Sequence, residues 1–113
     1  MITSTQLDGI ALVVGSGSGI GREAAFSLAE AGAKAVVFAD KNEDTAKASS
    51  EESRKYASNK DYQTTTFTMN VQDAQSIQDM VDFVVKKFGR LDYAVNAAGV
   101  SYMAPRVSPQ ISL

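Results

Sequence analysis

The sequence predicts an α/β fold in which four parallel strands form a doubly wound sheet, in the order 3-2-1-4, with helices on both faces. Short continuous apolar runs alternate with stretches whose apolar residues recur at helical spacing. Such runs indicate parallel strands that are covered on both faces of the sheet. Because crossovers between parallel strands are right-handed, the predicted β-α-β-α-β-α-β order favours this strand arrangement.

The first half of the chain contains two predicted strands and two predicted helices. Continuous apolar runs predict strands over residues 10–14 and 35–39. Between them, apolar residues three and four positions apart predict a helix over residues 20–29. Asn42 is a candidate N-cap for a weakly amphipathic second helix over about residues 43–57.

The second half repeats the alternation. A threonine-rich run predicts a third strand over residues 63–69, and Asp73 is a candidate N-cap for the third helix. That helix carries the strongest helical periodicity in the chain, and Gly89 is its predicted end. A fourth strand is predicted over residues 91–95. The sequence therefore predicts one domain over residues 1–99, followed by an irregular C-terminal tail that holds both prolines, over residues 100–113.

Composition excludes several classes of function. The chain has 113 residues, 44% of them hydrophobic and 21% charged, with a net charge of −2, so it lacks the basic excess typical of nucleic-acid binding. It contains neither cysteine nor histidine, which excludes a Ser–His mechanism and a zinc site built on those ligands. The apolar runs are too short to span a bilayer and the start lacks the pattern of a secretory signal, so we expect a soluble cytoplasmic protein without membrane partners.

A glycine-rich segment, residues 15–21, lies between the first strand and the first helix, and we call it the glycine loop. It fits G-x-x-x-G-x-G through Gly15, Gly19 and Gly21. The first glycine permits a sharp turn, the next lets backbone approach a pyrophosphate, and the last lets the helix pack closely on the sheet. Free N–H groups at a helix N-terminus favour an anion there. A glycine-rich turn without a ligand is the alternative interpretation.

Asp40 lies at the predicted tip of the second strand, about 20 residues after the glycine loop. A carboxylate at this position can accept hydrogen bonds from an adenosine ribose and would repel a 2′-phosphate. The pattern therefore favours NAD over NADP, although Lys41 beside it weakens that preference.

With these motifs in order, the chain resembles the short-chain dehydrogenase/reductase family from about Leu7 to Tyr102. The glycine loop resembles the family's T-G-x-x-x-G-x-G with Val14 in place of threonine. The family's Asn-Asn-Ala-Gly after strand four and Asp-Val after strand three appear as Asn-Ala-Ala-Gly and Asn-Val. Val14 loses a hydroxyl, Asn70 keeps an acceptor but loses a charge, and Ala97 replaces an asparagine, so each change weakens a polar contact around the cofactor. The resemblance implies a Rossmann-like domain that binds NAD through Gly15, Ser16, Gly17, Ser18, Gly19, Ile20, Gly21, Asp40, Asn70, Val71, Asn96, Ala97, Ala98 and Gly99.

The same resemblance implies that the domain is truncated. In the family, the catalytic serine and a Tyr-x-x-x-Lys pair follow strand four on segments that this sequence does not contain. We therefore predict no catalytic residue and expect an NAD-binding half-domain of an alcohol or ketone oxidoreductase without redox activity by itself. The alternative is a non-enzymatic interaction module, or an oligomer with a new activity, on the same scaffold.

One segment mimics the missing catalytic pair. Tyr56 and Lys60 have the Tyr-x-x-x-Lys spacing, but they lie towards the end of the second predicted helix. That end returns to the amino edge of the sheet, whereas the family's reaction takes place at the carboxyl edge. We therefore interpret this pair as structural.

The fourth strand is predicted to form an exposed edge of the sheet. Exposed strand edges and uncovered apolar surface favour association. We accordingly expect a homo-oligomer, or pairing with a partner chain, through the edge of strand four.

Overall fold

In the part of the chain that the structure describes, four strands and three helices alternate in the predicted order. The structure is a computed structural model, and it describes residues 8–17, 19–69 and 73–97. The predicted tail over residues 100–113 lies outside these ranges. The elements are β1 (Ile10–Val14), α1 (Gly19–Glu30), β2 (Ala35–Asp40), α2 (Glu43–Ser53), β3 (Gln63–Thr68), α3 (Ala74–Phe88) and β4 (Tyr93–Asn96).

The strands form one parallel sheet in the order β3-β2-β1-β4, which confirms the predicted fold class and strand order. The register places the last residue of β1, Val14, between Ala39 of β2 and Asn96 of β4. The carboxyl ends of these three strands therefore meet at one edge of the sheet, where β1 runs into the glycine loop.

Alternate residues of the central strands point to opposite faces, and each face is covered by helices. Leu12 and Val37 belong to a cluster that includes Met80 and Val84 of α3. Val13 and Phe38 belong to a second cluster, which is covered by α1 and α2. Because β1 and the apolar part of β2 are buried on both faces, they appear in the sequence as unbroken apolar runs rather than as alternating ones.

The helix caps form as the sequence predicts. The Asn42 side chain accepts a hydrogen bond from Thr45 N–H, and the Asp73 side chain accepts one from Gln75 N–H. Gly89 ends α3 with a φ of 85°, a left-handed conformation that glycine adopts without steric cost.

The predicted end of α2 near residue 57 is wrong, because the helix ends at Ser53. Beyond it the chain tightens into successive turns, in which Tyr56 N–H donates to Ser53 O. The backbone N–H of Ser58 then donates to Ala29 O at the end of α1. This tertiary hydrogen bond draws the segment away from the helical path.

Strand β4 begins at Tyr93, later than the predicted residue 91. The side chain of Asp92 accepts a 2.8 Å hydrogen bond from Ile10 N–H, so that a carboxylate replaces a backbone carbonyl at the start of this strand pair. The longest described helix, α3, has 15 residues, and none of the described helices combines the length and hydropathy that a membrane span needs.

Candidate functional site

The candidate site is built on the turn that leads from β1 into α1. The backbone N–H of Gly15 donates a 2.7 Å hydrogen bond to Ala39 O, which holds the start of the turn against β2. Gly15 and Gly19 have φ values of 79° and 62°. These left-handed conformations favour glycine, so the turn requires glycine at both positions.

Gly21 is required for a different reason. A β-carbon there would collide with the carbonyl oxygen of Gly15, and it would lie 3.0 Å from the β-carbon of Ala97. The third glycine of the motif therefore lets α1 pack directly on the turn and on the end of β4. The backbone N–H of Ala97 donates to Val14 O at 2.8 Å, which fixes that end of β4 beside β1.

Gly17 has a structural role that the motif did not predict. A β-carbon at Gly17 would collide with Thr45 Oγ1 of α2 and would lie 3.0 Å from Asp40 Oδ2. The Gly17 N–H donates a 2.9 Å hydrogen bond to Asp40 Oδ2, and the Gly17 carbonyl accepts a 2.9 Å hydrogen bond from Ser49 Oγ. The glycine loop is therefore attached both to the tip of β2 and to α2. The available signal was the serine-lined inner face of α2.

Asp40 ends β2 with its carboxylate at the glycine loop. One oxygen accepts from Gly17 N–H, and the other accepts from Asn42 N–H at 3.0 Å. A carboxylate offers about four lone-pair positions, so about two remain for further donors. Asp40 is only partly buried, so part of this residue is open to solvent at the edge of the sheet.

Ser16 and Ile20 differ in their surroundings. Ser16 is fully buried, and its hydroxyl lies 3.4 Å from Ala39 O as a donor to that carbonyl. Ser16 therefore stabilises the turn from its buried side. Ile20, at the start of α1, is instead 64% exposed.

Nine of the predicted site residues fall within the described ranges, and the structure brings them together at the carboxyl edge of the sheet. They are Gly15, Ser16, Gly17, Gly19, Ile20, Gly21, Asp40, Asn96 and Ala97. The predicted site residues Ser18, Asn70, Val71, Ala98 and Gly99 lie outside the described ranges.

Tyr56 and Lys60 lie away from this site. Tyr56 comes after the end of α2 and stacks on Phe26, with ring centroids 4.8 Å apart. Lys60 is exposed in the turn before β3. Because the segment between them is not helical, the two side chains lack the shared helix face that makes the Tyr-x-x-x-Lys spacing effective.

Among the described residues, the side chains with a shifted pKa, which are Tyr62, Arg90 and Asp92, also lie outside the candidate site. Burial raises the pKa of Tyr62, while its hydrogen bond with Ser53 opposes that shift. The hydrogen bond from Arg90 lowers the pKa of Asp92, and the bond from Ile10 N–H lowers it further. An open cavity of about 420 Å³ near Ile10, Lys34 and Arg90 also belongs to the amino edge of the sheet. Neither the cavity nor these titrating groups faces the glycine loop.

Comparison with known proteins gives one consistent result. The model of the short chain dehydrogenase family matches residues 9–111. The chain is 41% identical over 95 residues to the short-chain dehydrogenase anuF of Penicillium roqueforti. This match covers 84% of this chain and 34% of anuF. A hydroxysteroid dehydrogenase from Escherichia coli superposes with a TM-score of 0.75 and 31% identity, over 85% of this chain and 39% of that one.

A structure of NAD+-bound xylitol dehydrogenase superposes with a TM-score of 0.69 and 26% identity, over 78% of this chain and 32% of that one. The chain thus spans 34% of the length of anuF and a similar share of these solved structures.

Proposed function

Because the chain belongs to the short-chain dehydrogenase family, we propose that it forms the dinucleotide-binding part of an oxidoreductase that transfers hydride between NAD and an alcohol or ketone. The observation that carries the proposal is the attachment of the glycine loop to the Asp40 carboxylate at the carboxyl edge of the sheet. In open parallel sheets, ligands bind outside the carboxyl ends of the strands, at the point where the strand order reverses. Here that point lies between β1 and β4.

The glycine loop would hold the pyrophosphate. Gly19 and Ile20 open α1, and the first N–H groups of a helix have no partner within the helix. A side chain at Gly19 would extend into open space beside these N–H groups, so glycine there leaves room for a phosphate to approach the backbone. The positive end of the α1 dipole adds to the attraction of the anion.

Asp40 would hold the adenosine ribose and favour NAD over NADP. About two of its lone-pair positions are not used by Gly17 and Asn42, which matches the two hydroxyls of an unmodified ribose. A 2′-phosphate would replace one donor with a second negative charge beside the carboxylate. The similarity to NAD+-bound xylitol dehydrogenase supports the same preference. We further propose Asn70 and Val71 near the adenine, and Asn96 to Gly99 near the nicotinamide side.

We propose that the 113 residues do not turn over an alcohol or ketone by themselves. The family resemblance implies a catalytic serine and a Tyr-x-x-x-Lys pair after strand four, and this sequence has no counterpart of them. Tyr56 and Lys60 lie towards the amino edge of the sheet, away from the glycine loop. Within this chain, the described residues are suited to bind and orient the cofactor. Proton transfer to or from substrate would need residues that another segment or chain supplies.

We also propose that the protein is cytoplasmic and that it forms a homo-oligomer. In this assembly, a second copy of the chain would cover the exposed edge of β4. In the described part of the chain, β4 has a strand neighbour on one side only. On α3, which covers one face of the sheet, Ile77 and Val85 are 43% and 44% exposed and lie eight residues apart on one helix face. Sedimentation at micromolar concentration should show a dimer that Val85→Asp weakens and Lys86→Glu does not. A monodisperse monomer would contradict this part of the proposal.

A comparison of two half-ligands tests the cofactor proposal. ADP-ribose carries the groups that the glycine loop and Asp40 would contact, whereas nicotinamide mononucleotide carries the half that lies beyond β4. A ligand that binds only the folded state raises the Tm. We expect ADP-ribose to raise the Tm of the chain clearly more than nicotinamide mononucleotide does, because nicotinamide mononucleotide has only one phosphate and lacks the adenosine ribose. No shift with ADP-ribose, at concentrations that saturate a family enzyme, would favour an interaction module without a cofactor.

A further inference from the structure

We propose that Ser49 is a positioning residue that fixes the glycine loop and Asp40 in the arrangement that accepts an adenosine ribose and rejects a 2′-phosphate. This inference rests on the proposed dinucleotide binding and deepens it. Ser49 lies in α2, outside the glycine motif and outside every segment that the family resemblance connects with the cofactor.

The contact of Ser49 with the loop is buried and direct. Ser49 is 1% exposed, and its hydroxyl donates a 2.9 Å hydrogen bond to the carbonyl of Gly17, 32 residues earlier in the chain. Thr45, one helical turn before Ser49, occupies the space that a side chain at Gly17 would need. One face of α2 therefore both holds Gly17 and excludes any larger residue there.

Gly17 transmits this contact to Asp40. Its carbonyl is held by Ser49, and its N–H donates to Asp40 Oδ2. Both polar groups of one residue are thus fixed by different elements, α2 and the tip of β2. Glycine has the widest choice of backbone conformations, so the orientation of Gly17 depends on these two hydrogen bonds more than it would for another residue.

The orientation of the Asp40 carboxylate determines the choice of ligand. While Gly17 N–H holds Oδ2, the carboxylate presents its remaining lone pairs and its charge in one direction. Without the Ser49 hydroxyl, the Gly17 carbonyl loses a buried hydrogen bond. The backbone at Gly17 can then change its orientation. The Gly17 N–H can move away from Oδ2, which leaves the carboxylate held by Asn42 N–H alone. A less fixed carboxylate makes weaker bonds to a ribose and repels a 2′-phosphate less.

Ser53 provides a matched control on the same helix. It is as buried as Ser49, at 0% exposure, and its hydroxyl donates to Ser50 O at 2.6 Å and lies 2.7 Å from the Tyr62 hydroxyl. These partners are on the β3 side of α2, away from the glycine loop. Ser53→Ala therefore removes a buried serine hydroxyl of similar structural value without touching Gly17.

The test is calorimetric titration of the full chain and of the Ser49→Ala and Ser53→Ala variants with ADP-ribose and with 2′-phospho-ADP-ribose. We expect Ser49→Ala to weaken ADP-ribose binding about 3- to 10-fold, the usual effect of one buried hydrogen bond. We also expect the ratio of the two affinities to fall, while Ser53→Ala leaves that ratio unchanged. A purely structural role of Ser49 would lower both affinities together, so an unchanged ratio would overturn the inference.

A second measurement does not depend on the folding of a variant. In the unliganded wild-type chain, we expect the Gly17 amide to be protected from hydrogen exchange, because it donates to Asp40. Exchange at the rate of an exposed loop amide would overturn the inference. Failure of the wild-type chain to bind either ligand would overturn the proposed function as well, whereas wild-type binding with an unchanged ratio in Ser49→Ala would overturn only the role of Ser49.

Discussion

The backbone N–H of Gly17 donates a 2.9 Å hydrogen bond to Oδ2 of Asp40, 23 residues later in the chain. This bond joins the turn after β1 to the tip of β2, so that a backbone suited to phosphate and a carboxylate suited to ribose are held in a fixed relation. The affinity for an adenosine dinucleotide should therefore depend on both residues together, and the following predictions separate their contributions.

Replacement of Asp40 by asparagine should change the choice between cofactors. The amide offers one oxygen where the carboxylate offers two, so one of the bonds from Gly17 and Asn42 is lost with the negative charge. We expect NAD affinity to fall about 10-fold, the effect of losing hydrogen bonds to a charged group, and NADP affinity to rise. Asp44→Asn, an exposed acid in the first turn of α2, is the control, and it should leave the NAD to NADP ratio unchanged. If Asp40→Asn also preserved that ratio, Asp40 would not contact the ribose.

Replacement of Gly21 by alanine should destabilise the fold more than replacement of Gly19. The new methyl group at Gly21 would collide with backbone, the carbonyl oxygen of Gly15, which cannot move aside as a flexible side chain can. We expect a loss of about 2–3 kcal/mol in the free energy of unfolding for Gly21→Ala, from overpacking. Gly19→Ala meets open space and suffers only from its positive φ, at about 1–2 kcal/mol. Urea unfolding of both variants measures the difference, and equal losses would contradict the close packing of α1 on the turn.

The Arg90–Asp92 pair should make stability depend on pH at the acid end. Arg90 and the Ile10 N–H lower the pKa of Asp92 in the folded state below its ordinary value of 3.8. A lowered carboxyl pKa means that the contribution of Asp92 is fully present above the unfolded pKa and is lost as the pH falls through the folded pKa. The wild-type chain should therefore exceed Asp92→Asn in stability by a constant amount above about pH 5, and the difference should shrink towards pH 3. Denaturant titrations across this range measure it, and a pH-independent difference would show that Asp92 acts without its charge.

Tyr56 should contribute to stability and Lys60 should contribute little, and neither should influence cofactor binding. Tyr56→Ala removes the stacked contact with Phe26, and we expect a loss of about 1 kcal/mol in the free energy of unfolding. Lys60→Ala, at an exposed turn, should change that free energy by less than about 0.5 kcal/mol. Both variants should bind ADP-ribose as the wild-type chain does. Weaker binding in Lys60→Ala would mean that this segment reaches the site.

Much of the fold follows from local sequence rules. The unbroken apolar runs of β1 and β2 indicate strands that are buried on both faces, and Asn42, Asp73 and Gly89 lie at the helix ends where such residues stabilise unpaired backbone groups. Right-handed crossovers then leave few alternatives for the strand order. These features depend on residues that are close in sequence and on the right-handedness of crossovers between parallel strands. They can therefore be predicted without knowledge of tertiary contacts.

The features that the sequence did not reveal depend on contacts between distant segments. The helix α2 ends at Ser53 rather than near residue 57 because the Ser58 N–H donates to Ala29 O, a contact that no local pattern encodes. The hydrogen bond between Ser49 and Gly17 likewise requires α2 to approach the glycine loop, and a serine on a helix face gives little local indication of such a partner. The glycine spacing predicts where the candidate site lies, whereas the tertiary contacts define how its described residues are held.

Calorimetric titration of the wild-type chain with NAD and with NADP, in one buffer and at one salt concentration, tests the central claim most directly. If the glycine loop holds the pyrophosphate and Asp40 the ribose, NAD should bind with measurable heat and NADP at least about 10-fold more weakly, as expected for a carboxylate facing a 2′-phosphate. Equal affinity for both cofactors would contradict the contact of Asp40 with the ribose. Binding of neither would contradict the assignment of this edge of the sheet to an adenosine dinucleotide.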